Sequence, residues 1–152
     1  MDSVLQTLYL LFNEGYKASM GERLVREDLC NEAIRLVTLL AEQPVGDQSR
    51  THALVALMFF NAARLPARTD SDGNVLRLKE QDRSTWDKGM IARGMFHFSR
   101  SAAGEEITAY HLEAAIAACH CAAVDYESTD WPRILSLYDR LIELDASPIV
   151  AL

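Results

Sequence analysis

Apolar residues recur at intervals of three and four along most of this chain, the period of a helix with one buried side. Val4, Leu5, Leu8, Leu11 and Phe12 make the first such series and predict a helix over 3–13, closed by the C-cap signal Asn13-Glu14-Gly15. Leu29, Ala33, Leu36, Val37 and Leu40 make the second, over 22–42, with Glu22, Arg23, Arg26, Glu27 and Glu32 on its wet side. The third segment, 49–64, is different in kind. Its run HALVALMFFNAA is apolar nearly all the way round, so this helix belongs at the centre of the fold. Ser84 is the predicted N-cap of a fourth helix through about 99, with Trp86, Met90, Ile91, Met95 and Phe98 along one broad side. Thr108 caps a fifth through about Ala123, and its many alanines let neighbouring helices approach closely. Thr129 caps a sixth from about Asp130 to Leu144. Pro132 is acceptable there, because the first turn has no intrahelical bond to lose. Ser147-Pro148 opens a seventh. Short links make successive helices antiparallel neighbours, so the expected class is all-α, an array of helical hairpins.

One long stretch breaks this pattern. Residues 64–87, RLPARTDSDGNVLRLKEQDRSTWD, are polar and lie between helical patterns. Asp72-Gly73-Asn74 is a hairpin-turn signal, since Gly and Asn tolerate the positive φ of a tight turn. Its flanks, Arg68 to Asp70 and Val75 to Leu78, predict one small β-hairpin near 68–78 that leans on the helices. The turn brings residues near 70 back toward those near 80. The reading therefore expects at least one of Arg68 and Arg83, in the set Arg68, Asp70, Asp82 and Arg83, to bond a carboxylate or backbone carbonyl across the stretch. Arg64, Arg68, Asp70, Asp72, Gly73, Gln81, Asp82, Arg83 and Trp86 are the candidate site residues. They make either a structural clasp of ion pairs and caps or a recognition surface on a loop held by rigid helices. Further on, Trp131, Ile134 and Tyr138 occupy the Trp, Leu and Tyr positions of the tetratricopeptide (TPR) signature, with Leu135 in place of its glycine. That partial match predicts a degenerate TPR-like solenoid in which Trp131 and Tyr138 pack on the fifth helix.

Composition narrows the function classes. The 152 residues are 49% hydrophobic and 24% charged, an ordinary globular balance that fits one domain. Lys+Arg number 15 against 22 Asp+Glu, a net charge of -7, which opposes binding to a phosphate backbone. The odd number of cysteines, Cys30, Cys119 and Cys121, fits reduced thiols in the cytoplasm. The start has no basic region or cleavage site of a signal peptide, and no segment approaches a membrane span.

Chemistry-bearing motifs fail on geometry. Aligned on Gly73, a calcium loop would put Arg68 at its first ligand position and Lys79 at its twelfth, where a hard cation needs oxygen. Cys119-His120-Cys121 are consecutive on a helix, about 100° apart, and cannot converge on one ion. His111 and Glu113 give H-x-E without the cysteine pair of a zinc deaminase. No phosphate-binding glycine loop or nucleophile elbow is present. The expectation is a non-catalytic protein without a cofactor.

Several strings taken together carry a family likeness: LYLLFNEGY (8–16), DLCNEAIRL (28–36), ALMFFNAAR (56–64), AR-D--G with QDRS-WD (67–87), YHLEAAIAACH (110–120) and DW--I--LYD-L (130–141). The chain resembles the C-terminal extension of a subgroup of extracytoplasmic-function (ECF) bacterial RNA polymerase sigma factors, a helical, TPR-like extension. The resemblance implies a regulatory or protein-interaction module in transcription initiation. The implied partners are the promoter-binding domains of the same sigma factor or core RNA polymerase, and those promoter-binding domains are missing from these residues. A second expectation is a small-molecule sensor, with a pocket lined by Trp86, Tyr110 and His111 beside the hairpin.

Overall fold

The computed structural model describes residues 2–16, 23–68 and 76–145. Among them are six α-helices: α1 (Asp2–Tyr16), α2 (Arg23–Glu42), α3 (Ser49–Ala63), α4 (Lys88–Ser101), α5 (Ala109–Ala122) and α6 (Trp131–Asp145). No strand occurs among the described residues, and the architecture is all-α. None of these helices is long and apolar enough to cross a membrane.

The apolar run in 49–64 dictates the packing. Every residue from Thr51 to Phe60 is buried. A helix with no wet side needs neighbours all round it, and α1, α2, α4 and α5 supply them. Leu5 and Phe12 of α1, Cys30, Ala33 and Val37 of α2, and Ala114 and Ala117 of α5 join the α3 side chains in one core. Each large apolar side chain fully buried there contributes about 1.5–3 kcal/mol. A second, smaller cluster joins Leu112 and Ile116 of α5 to Ile134 and Leu137 of α6. So α6 lies outside the main core, docked on α5.

Several helix ends depart from the sequence reading, each for a tertiary reason. The first helix does not stop at Asn13-Glu14-Gly15 but runs through Tyr16. Its last turn is held from outside by Arg68, whose guanidinium donates to the Tyr16 carbonyl and lies over its ring, while Tyr16 stacks on Phe12 one turn back. A cation there also suits the negative end of the helix dipole. The fourth helix is not capped by Ser84. Arg83–Thr85 form a 3-10 turn capped by Asp82, and α4 starts later, with Asp87 Oδ1 accepting from Met90 N at 3.0 Å. The Asp87 N–H donates to Ala63 O at 2.8 Å, which ties this cap to the end of α3. Thr108 caps α5 as expected. Thr129 does not cap α6: its hydroxyl donates to Asp125 O, and Asp130 Oδ1 accepts from Arg133 N instead.

The small β-hairpin is not seen. Its turn, Asp72-Gly73-Asn74, lies outside the described residues, as does the seventh helix from Ser147. The flanks do meet, because Leu76 N–H donates to Arg68 O at 2.6 Å. Strand geometry does not follow, for Leu78–Glu80 are a 3-10 turn whose start Arg77 and Glu80 close by reciprocal bonds.

Gly94 sets how closely α4 approaches the central helix. A Cβ there would sit 2.6 Å from Phe60 Cε1, and Phe60 is wholly buried with no room to retreat. Gly94→Ala is therefore expected to destabilise the protein by about 1–3 kcal/mol, the range for overpacking, despite the better helix propensity of alanine. Urea denaturation of both proteins measures this, and an equal or higher midpoint for the variant contradicts the close approach.

Candidate functional site

The stretch 64–87 leaves the end of α3 and comes back to it. Arg64 caps α3, with its N–H on the carbonyls of Ala62 and Asn61. Leu65–Ala67 make a 3-10 turn opened by Pro66, and the Asp87 N–H returns the chain to Ala63 O. Within this excursion Asp82 holds the third 3-10 turn, Arg83–Thr85, accepting from Ser84 N at 3.0 Å and Ser84 Oγ at 2.6 Å. That turn drives the Arg83 side chain inward to 8% exposure, where its Nη1 donates to His120 O at 2.8 Å. The acceptor belongs to the last turn of α5, where helix carbonyls lack intrahelical partners and the dipole is negative. Arg83 is thus a cationic cap for α5.

Trp86, 3% exposed, receives both guanidinium groups on its ring, with Arg83 at 4.9 Å and Arg64 at 5.2 Å. His120 is 7% exposed and meets the edge of the Trp131 ring at 5.5 Å between centroids. The knot is short of hydrogen-bond partners. Arg64 Nε, Arg83 Nε and Nη2, Trp86 Nε1, His120 Nδ1 and Gln81 Oε1 are all buried with none. Among the described residues neither Arg64 nor Arg83 forms a salt bridge. Two cations in one buried site oppose each other, and the titrations follow. Burial and then Arg64 lower the Arg83 pKa, while burial and then Arg64 and Arg83 push His120 down to about 4. Burial raises Cys121 to about 11, so it is a thiol and not a nucleophile at neutral pH. Cys121 Sγ lies toward Phe60 O and Cys119 lies toward Arg133 across a separate cavity, so the two thiols flank His120 without converging on it.

A groove of about 340 Å³ opens beside the knot, between α1, α3, α5 and α6. Leu57, Ile116, Ala117 and Leu141 give it apolar walls, and Arg64, His120, Asn61, Tyr9, Glu113 and Tyr138 bring polar groups to it. Glu113 Oε2 accepts from the Tyr9 hydroxyl at 3.3 Å. Burial and then the Glu113 charge hold that phenol neutral by raising its pKa.

The expected site residues thus divide. Arg64, Arg83 and Trp86 come together, with Gln81 and Asp82 as their supports. Arg68 is elsewhere, on the end of α1, and Asp70, Asp72 and Gly73 lie outside the described residues. The arginine bonds expected across the stretch run outward instead: Arg83 reaches α5 and Arg68 reaches α1. Within the stretch, Gln81 Nε2 donates to Leu76 O at 3.3 Å, and Arg77 Nε, outside the candidate set, donates to Glu80 Oε1 at 2.9 Å. The sensor pocket of Trp86, Tyr110 and His111 does not form. His111 folds back on Thr108 in the first turn of α5, nine residues and about 13 Å of helix before His120. Tyr110 packs edge-on against Tyr9. His120 is the site residue that sequence reasoning missed. Its only signal was a histidine in an alanine-rich apolar helix. Trp131 packs on α5 as expected, half-buried, whereas Tyr138 stands 47% exposed at the groove edge.

Two outcomes follow. Arg83→Ala removes a charged hydrogen bond to a buried carbonyl and is expected to cost about 1.5–3 kcal/mol in denaturant melts. Second, His120 and His97 both have folded pKa values near 4, below the unfolded value near 6.5. His97 is lowered by burial and then by the charges of His52, 2.9 Å away between Nδ1 atoms, and Arg100. The unfolded chain therefore binds more protons between these values. Stability is expected to be complete above about pH 6.5 and to fall as the pH drops toward 4. Melting against pH measures the slope, and His120→Asn or His97→Asn should each flatten part of it.

The sequence matches the family described as "Family of unknown function (DUF6596)" over residues 1–102. An uncharacterized protein of Rhizobium meliloti (strain 1021), R00370, is 39% identical to it over 150 residues. That alignment covers 99% of this chain and 35% of the relative, so the chain spans about a third of the curated protein it matches. No solved structure matches the chain. The stretch built around Arg64, Arg83 and Trp86 lies wholly within the matched region, and by that match the chain belongs to the DUF6596 family.

Proposed function

We propose that this chain is a regulatory, protein-interaction domain of a bacterial ECF-type RNA polymerase sigma factor, non-catalytic and acting in the cytoplasm on transcription initiation. The likeness of its six strings to the C-terminal extension of such factors supports this reading, and so does the paired-helix array, which in this reading is a degenerate TPR-like solenoid in one domain. The observation that carries the interaction role is the outer side of α6. Leu135, Tyr138 and Ile142 recur there at helical spacing and are 64%, 47% and 64% exposed. Asp139 and Glu143, also exposed, flank them. An apolar stripe edged with carboxylates is complementary to a basic amphipathic helix. The DNA-contacting helices of the sigma factor's own promoter-binding domains have that chemistry, and so do basic surfaces of core RNA polymerase. The net charge of -7 favours such partners over nucleic acid itself.

A second reading, a small-molecule sensor, draws support from a cavity of about 390 Å³ between the end of α4, α5 and α6. Phe98, Ile107, Leu112 and Leu137 line it, with His111 and Arg140 among its polar groups. Its place is the opposite end of α5 from Trp86.

The test uses the intact sigma factor. Leu135→Asp with Ile142→Asp changes only exposed side chains, so thermal melting should stay within about 0.5 kcal/mol of the parent. Promoter-specific transcription, and retention of the promoter-binding domains by this domain after cleavage of the link between them, should both be lost. Full transcription and full retention by a folded double variant defeat the proposal.

A further inference from the structure

The cavity between the end of α4, α5 and α6 continues into a second one. Each has a volume of about 390 Å³, and Phe98, Ala115 and Arg133 line both, so the two meet at Ala115. Along α5 their floor runs through Leu112, Ala115, Ala118 and Ala122, three and four residues apart on one side of the helix. From Leu112 to Ala122 is about 15 Å of helix. The alanines of that row leave a long, narrow trough, with Phe98 and Met95 of α4 on one side and Leu137 of α6 on the other.

The uncharged polar groups of the trough at the α4 end are already bonded. Ser99 Oγ donates to Phe96 O, and Ser101 Oγ donates to Phe98 O. His111 accepts the Thr108 N–H on Nδ1, so Nε2 carries its proton and donates to Ser101 O at 3.2 Å. The charged groups come in both signs. Arg133 and Arg140 belong to α6, Asp130 stands just before it, and Glu105 and Glu106 come from the α4–α5 loop. Glu106 Oε1 already accepts from the Ser49 hydroxyl. A ligand with a charged head is drawn to one of these groups, repelled by another, and loses its water. An uncharged chain avoids those costs and takes its hydrocarbon out of water along the apolar floor.

We infer that this trough binds a linear, uncharged aliphatic molecule, its chain laid along Ala115 and Ala118 between Phe98 and Leu137. This ligand class rests on the sensor reading of the cavity and deepens it. Occupation adds to folded-state stability by mass action.

Hexan-1-ol, heptan-1-ol and octan-1-ol are titrated one at a time against the protein, with melting temperature and calorimetric heat as readouts. Each should give a saturable rise in melting temperature, and Kd should fall about three- to fourfold per added methylene, as one more CH₂ leaves water. Octanoate and octylammonium should each bind more weakly than octan-1-ol. Ala115→Leu places a larger side chain where the two cavities meet and should abolish the response. If that variant does not fold, Ile107→Asp serves in its place. Ile107 is 49% exposed at the cavity wall, so the fold tolerates the change, and the new charge should weaken octan-1-ol binding at least about tenfold. The inference is overturned if no alcohol gives a saturable rise, or if affinity does not grow with chain length. It is equally overturned if either charged analogue binds as tightly as octan-1-ol, or if the folded variant responds like the parent. The sensor reading fails separately. A saturable response to toluene, with none to the alcohols, keeps a sensor pocket and overturns the linear chain. Binding of octan-1-ol that leaves promoter-specific transcription by the intact factor unchanged keeps the site and defeats the sensor.

Discussion

A helix with no polar side has to be surrounded, and α3 imposes that condition on this fold. From Thr51 to Phe60 every side chain is withdrawn from water, including Thr51 and His52. The requirement explains why α1, α2, α4 and α5 all pack on one helix, while α6 packs chiefly on α5. It also explains the glycine at 94, where the Phe60 ring takes the space of a side chain. His52 enters this dry interior only because Asp47 Oδ1 stands 2.7 Å from its Nε2 and His97 meets its other nitrogen. A polar ring inside a core needs both nitrogens answered.

The end of α3 is where this packing meets charge. The excursion 64–87 begins and ends on the carbonyls of its last turn, so Arg64 and Arg83 are delivered to the same place. Among the described residues no salt bridge neutralises them. The α5 carbonyl end and the Trp86 face take that part, and both are weaker partners than a carboxylate. The result is a cluster with buried polar atoms left without partners. Burial, and then that same crowding of positive charge, depresses the titration of His120 and Arg83.

α6 carries two surfaces on one helix. Ile134 and Leu137 face α5, whereas Leu135 and Ile142 face outward. Tyr138 belongs to the outward stripe and also lines the groove of Arg64 and His120.

The sequence by itself determined the helices and the identity of the central one. Periodicity and the fully apolar run 49–64 are local properties, and burial follows from them whatever the neighbours are. Thr108 was legible as a cap because its partner, the N–H of His111, is three residues away. The tertiary structure decided what depends on distant partners. Gly15 reads as a helix stop, but Arg68, 52 residues on from Tyr16, carries α1 past it. Ser84 reads as a cap, but the bond from Asp87 to Ala63 moves the start of α4 to Lys88. The charged stretch was visible as a candidate site, yet not that Arg83 would turn away from its neighbours to cap α5. His120 became part of the site only because the end of α5 lies under that arginine. A residue 37 positions away chose its carbonyl, and no local pattern records such a pairing.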